Sequence, residues 1–487
     1  MRFDRTPGSV LGAPRLAARL SARWSGLTAL VLALQTTGLV VAQAASEAGE
    51  RTALDRYVAA PDTNFTFHLV RSTPTPAGTV YLLDMISQRW LSAGEVDRPL
   101  WQHWLQVAVP RDAQGPTAVL FIGGGSNKKG PPGGPDGNLT RLAIETRTVV
   151  AELRNVPNQP LIFHQDGHER SEDDLIAYTW DRFLRTGDER WPARLPMTKA
   201  AVRAMDAVTA FCATNAGGLK IERFFVAGGS KRGWTTWTTA AVDRRVMGIA
   251  PVVIDVLNIE PSMRHHYAAY GFWAPAVGDY VAHGIMDWMG TPQFRALAKM
   301  VEPYEYRHRF TMPKLILNAC GDQFFLPDSS QFYFDALPAP KYLRYVPNAD
   351  HSMKGSDVWQ TMQAFYTSLL QGKPLPRFTW TLESDGAIRV RVTDTPRSVQ
   401  LWHATNPRAR DFRLETLGPV WTNTPLALAQ QQCVARVPTP AQGWTAFMVE
   451  LTYDGPNNLP LKLTTPVRVV PDRTDYTFVP RPPAAAR

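Results

Sequence analysis

The sequence predicts an α/β protein: a mostly parallel sheet with helices on both faces, a helical cap insertion and a small C-terminal β-sandwich domain. Two observations carry this. Between residues 117 and 370, short apolar runs alternate with segments of helical periodicity. After Pro374 that alternation stops, and period-two segments follow up to residue 472. The 487 residues are 44 % apolar and 20 % charged, which is ordinary globular composition with ample material for a large core.

Residues 45–58 are polar and read as helical or extended. Residues 65–70, 79–85 and 103–109 alternate apolar with polar and predict antiparallel strands. Residues 117–122, TAVLFI, are unbroken apolar and end in Gly123-Gly124-Gly125-Ser126-Asn127, which suits a buried central strand. The spacing predicts a helix over 138–153, a short strand at 160–163, and helices over 173–184 and 197–215. Strands follow at 221–227, 246–256, 313–319 and 342–346, then a helix over 356–370. Residues 257–312 carry no strand pattern, are rich in His, Tyr, Trp and Arg, and predict a helical cap between two core strands. The sandwich strands are expected at 378–382, 388–392, 399–402 and 446–451. The organisation read from this is a leader at 1–44, a main domain at 45–374, a β-sandwich at 375–472 and a tail at 473–487.

The leader has five arginines against Asp4, then the apolar stretch 27–42, then Ala42-Gln43-Ala44 before Ala45. That is the pattern of a cleaved signal peptide, and it predicts a periplasmic or secreted protein with no stable membrane span after cleavage. Removing it leaves +5 of the formal +9 charge, without a dense basic run or a nucleic-acid motif, so no nucleic-acid partner is expected. Three cysteines, Cys212, Cys320 and Cys433, are too few for a disulfide framework, lack metal spacing and are expected as buried thiols.

Residues Gly228-Gly229-Ser230-Lys231-Arg232-Gly233 join the 221–227 strand to a helix-like stretch from Trp234. Strand, small-residue turn, serine, helix is the layout of a nucleophile elbow, with Arg232 where glycine is usual and glycine one step later. A serine hydroxyl needs a histidine to take its proton and an acid to orient that histidine. Asp322 follows the 313–319 strand, and His351 follows the 342–346 strand. Ser, acid, His is the chain order of α/β-hydrolases, and both partners sit just beyond strand ends where such sheets place their sites. Asp328 and Asp255 remain rival acids, although Asp328 reads better as a helix N-cap. The expected oxyanion hole is the Lys231 N–H with an N–H from the Gly124-Gly125 loop. Lys231 and Arg232 are candidates for binding a substrate carboxylate. His265, His266 and Trp273 are candidates for a substrate wall in the cap, while Trp234 and Trp237 are expected in the core. The loop His164-Gln165-Asp166-Gly167-His168-Glu169 reads as a polar loop rather than a metal site, and neither a metal nor another cofactor is expected.

With these residues placed, the chain resembles the PhoPQ-activated pathogenicity-related family. The likeness is carried by Ser87-Gln88-Arg89-Trp90, Leu100-Trp101-Gln102-His103-Trp104, Val156-Pro157-Asn158-Gln159-Pro160, Pro196-Met197-Thr198-Lys199-Ala200, Gly229-Ser230-Lys231-Arg232-Gly233-Trp234, Asp255-Val256-Leu257-Asn258 and Asp322-Gln323-Phe324-Phe325-Leu326-Pro327-Asp328. It spans roughly residues 55–470 and implies an α/β-hydrolase domain in an exported protein. The serine turn is also similar to that of glucuronoyl esterases, with a basic residue after serine and glycine at the third position. That implies an ester of a uronic or other carboxylated substrate.

The expectation is an exported serine hydrolase that cleaves a small-molecule or saccharide ester through an acyl-enzyme. Two alternatives stand beside it: a non-catalytic binding or signalling protein on the same fold, and an aminopeptidase-like amide hydrolase. Substrate identity and oligomeric state are left open by the sequence.

Overall fold

A computed structural model describes residues 51–483, so the expected leader and the last four residues lie outside the described residues. Helix α1 (Ala53–Ala59) starts on a capping box, in which the Thr52 side chain accepts from the Asp55 N–H and the Asp55 carboxylate accepts from the Thr52 N–H. Strands β1 (Thr66–Thr75), β2 (Gly78–Arg89) and β3 (Leu100–Pro110) follow as an antiparallel meander. Then come β4 (Thr117–Ile122), α2 (Gly137–Thr146), β5 (Val149–Leu153), α3 (Glu172–Thr186), α4 (Arg194–Asn215), β6 (Arg223–Gly229), α5 (Lys231–Val242) and β7 (Val246–Val252). Helices α6 (Ile259–Tyr270), α7 (Gly278–Ala282) and α8 (Pro292–Val301) precede β8 (Lys314–Ala319), β9 (Lys341–Val346) and α9 (Val358–Leu370).

The nine strands form one sheet in the order β1-β2-β3-β5-β4-β6-β7-β8-β9. From β5 through β9 all neighbours are parallel, while β3 meets β5 antiparallel. β4 lies between β5 and β6, so the chain runs first to one side of it and later to the other. The loops leaving β4 and β6 therefore diverge, and a crevice opens at the carboxyl ends of the strands.

Two expectations are corrected here. The stretch 138–153 is not one helix: Arg147, at φ 53°, ends α2 in the left-handed conformation, and the next residues form the buried strand β5. Five apolar-rich residues cannot be told from a helix turn by periodicity alone. Residues 160–163 are not a continuous strand either: Leu161 and Phe163 make isolated bridges, to Arg170 and Val96.

The cap is helical as expected, from α6 to α8 with short 3-10 turns between. The C-terminal segment forms two antiparallel sheets. One holds β10 (Phe378–Leu382), β11 (Ile388–Val392) and β14 (Gln432–Ala435). The other holds β12 (Ser398–Asn406), β13 (Thr422–Pro425), β15 (Trp444–Asp454), β16 (Pro460–Thr464) and β17 (Arg468–Val470). These strands lie within the same compact unit as the main sheet. Ile388, Val390, Val449 and Leu463 share one buried cluster with Val119, Phe225 and Leu315 of the central sheet. The sandwich core is thus continuous with one face of that sheet, and burial of this apolar area ties the two together. Cys212, Cys320 and Cys433 are all buried and unpaired. Among the described residues no helix is long and apolar enough to cross a membrane.

Candidate active site

Ser230 sits between the end of β6 and the start of α5, at φ 57° and ψ −127°. A non-glycine residue holds this conformation only where its surroundings impose it. Here the Ser230 N–H donates to the Val252 carbonyl at 2.8 Å and its carbonyl accepts from Trp234 at 3.0 Å. Its side chain makes no capping hydrogen bond, so the hydroxyl is not engaged by its own helix. The flanking glycines answer to close packing. A Cβ on Gly228 would lie 2.8 Å from the Arg232 carbonyl oxygen, and one on Gly233 would lie 3.0 Å from the Gly228 and Val252 oxygens. The glycine three places after serine is the one pressed against β6 and β7.

Asp322 and His351 leave the ends of β8 and β9, neighbouring parallel strands, and so come together beyond the sheet edge. His351 Nδ1 lies 2.8 Å and 3.0 Å from the two Asp322 carboxylate oxygens. The same carboxylate accepts from the Phe324 N–H at 2.7 Å, which fixes its orientation. His351 Nε2, on the opposite edge of the ring, is buried and has no hydrogen-bond partner among the described residues. Phe324 packs against the imidazole at 4.4 Å between ring centroids, and His351 shares a small cavity with Gly229, the residue before Ser230.

The rival acids are committed elsewhere. Asp328 makes no capping bond to the 3-10 turn it precedes. It instead holds Arg410 at 2.6 Å and His265 at 3.1 Å. These two partners outweigh the effect of burial and keep its pKa far below the usual carboxylate range. Asp255 accepts from Tyr333 at 2.6 Å and Tyr345 at 2.5 Å, and burial pushes its pKa up to about 8.

The glycine loop after β4 is held by its carbonyls. Gly123, Gly124 and Gly125 oxygens accept from Val156 N, Asn155 N and Gln159 Nε2 at 3.2, 3.2 and 3.1 Å. The N–H groups of Gly124, Gly125 and Lys231 have no partner among the described residues. Donors left open at a helix start and a neighbouring loop are what an oxyanion would use.

A family profile described as PhoPQ-activated pathogenicity-related protein matches residues 54–413. The chain belongs to this family. A relative from Dictyostelium discoideum, autocrine proliferation repressor protein A, is 38 % identical over 455 residues, covering 87 % of this chain and 92 % of that protein. Among solved structures, an acetyl xylan esterase from Paenibacillus sp. R4 is similar at 14 % identity and TM-score 0.45, over 65 % of this chain and 91 % of that one. Acetyl xylan esterase 1 from Thermoanaerobacterium sp. JW/SL YS485 is similar at 14 % and 0.42, over 66 % and 89 %. The α/β-hydrolase fold of this PhoPQ-related chain is visible in its own strand order, with the serine turn after β6 and the Asp322 and His351 loops after β8 and β9.

The basic pair after the serine is placed differently from the expectation that it would meet substrate. Lys231 Nζ, with its side chain only 6 % exposed, lies 2.8 Å from Glu172 and 3.0 Å from Asp173. Arg232 grips Glu172 with two nitrogens and donates to the Val156 carbonyl. Both cations are neutralised by the start of α3, because a buried charge needs a partner. The signal for this was the acidic run Glu172-Asp173-Asp174, which complements Lys231-Arg232 but stands nearly sixty residues away.

A cavity beside Ser230 is lined by Trp180, Trp234, Met263, Met286, Phe294 and Phe324, among others. In this PhoPQ-related chain the expected wall residues His265, His266 and Trp273 are not part of it. Ile259 and Met263, four residues apart, share the α6 face that lines the cavity, and His265 projects to the other side, against Asp328 and Arg410. His266 is buried, accepts from the Ala274 N–H at 3.1 Å and has its pKa pushed down to about 3 by burial and by Arg413. Trp273 packs on Phe478 and Tyr267. Trp234 and Trp237 are buried as expected, and Trp234 also faces the cavity.

Proposed function

We propose that this PhoPQ-related protein is an exported serine hydrolase that cleaves a carboxylic ester through an acyl-enzyme. The observations that carry the reading are the His351 ring, anchored at Nδ1 by Asp322 with its Nε2 unpartnered, and a serine held in an elbow conformation directly after Gly229, which shares a cavity with His351. Ser230 Oγ attacks the ester carbonyl and its proton passes to His351 Nε2. The tetrahedral oxyanion is held by the N–H groups of Lys231 and of Gly124 or Gly125. The C–O bond of the ester breaks, and His351 returns the proton to the leaving alcohol. Water then attacks the acyl-enzyme, its proton going to His351, and the acid leaves as Ser230 recovers its own. Asp322 fixes the tautomer and stabilises the imidazolium that forms between these steps.

A fluorophosphonate probe tests this, since it phosphonylates only an activated serine. The wild-type protein is expected to label and Ser230→Ala to remain unlabelled, with turnover of p-nitrophenyl esters lower in Ser230→Ala and His351→Ala on the order of 10⁴-fold. Absence of labelling in the wild type, or equal labelling of Ser230→Ala, would sink the mechanism.

A second reading is a signalling protein on the same fold, favoured by the name of the Dictyostelium discoideum relative, a proliferation repressor. Under that reading Ser230→Ala keeps full activity in a proliferation assay.

A further inference from the structure

The cavity beside Ser230 has a composition that selects its occupant. We infer that it receives the neutral apolar acyl group of the substrate, of medium chain length or aromatic, in preference to a charged one. This rests on the acyl-enzyme reading of Ser230.

The apolar walls include Trp180 and Trp234 from α3 and α5, Ile254 and Val256 after β7, Phe324 and Phe325 from the loop that carries Asp322, and a run of cap residues. Three of those cap residues are methionines, Met263, Met286 and Met289. Unbranched, polarisable side chains adapt to the shape of an apolar guest without strain. The envelope of the cavity, counted with its mouth and the solvent in it, is about 610 Å³, and only the inner part of it is enclosed. Ser230 is among its lining residues, which makes the cavity the nearest apolar space for an acyl group esterified to the hydroxyl.

Most polar groups in the wall are already engaged with one another. Lys231 is held by Glu172 and Asp173. Arg194, buried and also in the wall, donates to the Lys231 carbonyl at 3.0 Å and lies 4.4 Å over the Trp234 ring, while its Nε has no partner among the described residues. Asp173 and the Tyr280 hydroxyl, 3.0 Å apart, lie in the same wall, and the Asp173 carboxylate attracts the Arg194 charge. A carboxylate entering here would lose its hydration and face Asp173. The carboxylated substrate that the serine turn suggests is therefore disfavoured on the acyl side.

The test separates binding from chemistry. Ser230→Ala protein is titrated with acetamide, hexanamide and adipamic acid (a hexanamide ending in a carboxylate), followed by ligand-observed saturation-transfer NMR. Hexanamide is expected to bind at least about tenfold more tightly than either of the others, since four added methylenes are buried. Met263→Trp, which fills the cavity, is expected to lose that preference, and the milder Met286→Phe to reduce it; a melting curve confirms that each is folded. No saturable hexanamide binding, tighter binding of adipamic acid, or an unchanged preference in both folded variants overturns the inference. In wild type, kcat/KM for p-nitrophenyl hexanoate is expected to exceed that for the acetate by a similar factor. Hexanamide binding without any ester turnover or fluorophosphonate labelling would overturn the catalytic reading while leaving the cavity assignment standing.

Discussion

Arg232 and Glu172 meet in a two-pronged ion pair, with the guanidinium nitrogens 2.9 and 2.7 Å from the two carboxylate oxygens. Lys231 adds a third contact to the same carboxylate. Burial alone would raise the pKa of Glu172, but Arg232 and Lys231 outweigh it and hold it at about 2. The folded value lies below the ordinary 4.5, so the stabilisation is present above about pH 4.5 and is lost as pH falls toward 2. Glu172→Gln should lower the neutral-pH melting temperature by roughly 2–4 °C, a modest figure because water screens a half-exposed carboxylate. It should also flatten the acid side of the Tm–pH curve, measured by circular dichroism. Parallel curves for variant and wild type between those pH values would remove Glu172 from the acid response.

Asp322 and Asp328 should separate cleanly by substitution. Asp322→Asn removes the anchor of His351 and is expected to lower kcat on the order of 10³–10⁴-fold with little change in melting temperature. Asp328→Asn leaves Arg410, itself buried, without its carboxylate, and should destabilise by about 3–5 kcal/mol. Activity per folded molecule should then stay within about tenfold of wild type, since Asp328 does not touch His351. Steady-state kinetics combined with urea melts of both variants make the comparison. The reverse pattern would transfer the acid role.

The glycine loop offers a geometric prediction. A Cβ on Gly125 would come within 1.9 Å of Asn155 Oδ1 and 2.9 Å of the Asn155 nitrogen, whereas one on Gly130 meets nothing within 4 Å. Gly125→Ala should displace the loop and cost on the order of 10²-fold in kcat, as loss of an oxyanion donor does, and Gly130→Ala should be neutral. A Gly125→Ala enzyme with unchanged kcat would exclude this loop from the oxyanion site.

Asp255 supplies a stability test of opposite sign. Burial raises its pKa from 3.8 to about 8, so the folded state retains a proton that the unfolded chain releases. Its contribution to stability declines as pH rises from about 3.8 to 8, and Asp255→Asn should remove that decline. Chemical denaturation at pH 5 and pH 8 reads it directly, and an unchanged pH slope in the variant would count against a neutral Asp255.

Much of the architecture is legible in the chain because it depends on local pattern. The TAVLFI run at 117–122 has no charged residue to place on an exposed face, so its composition alone assigns it to the inside of a sheet. Strand β5 is hidden because its separation from α2 rests on one left-handed residue, Arg147, which propensity does not favour there. In the site, Ser230, Asp322 and His351 can be picked out because each stands at a strand end, and strand ends are countable in a sequence. The fate of Lys231 and Arg232 is invisible there. Their charges are cancelled by α3, and pairing across nearly sixty residues depends on where two helix starts are brought together.

The sequence alone was enough for the α/β class, the cap and the sandwich, since these follow from hydrophobic period and the position of turns, and it placed Ser230, Asp322 and His351 at strand ends. Which aspartate meets His351, which face of α6 looks into the cavity, and whether a cation is available to substrate all turned on the folded chain. Those are properties of distances between residues far apart in sequence, and a side chain's charge or direction has no meaning for the site until packing has chosen its partner.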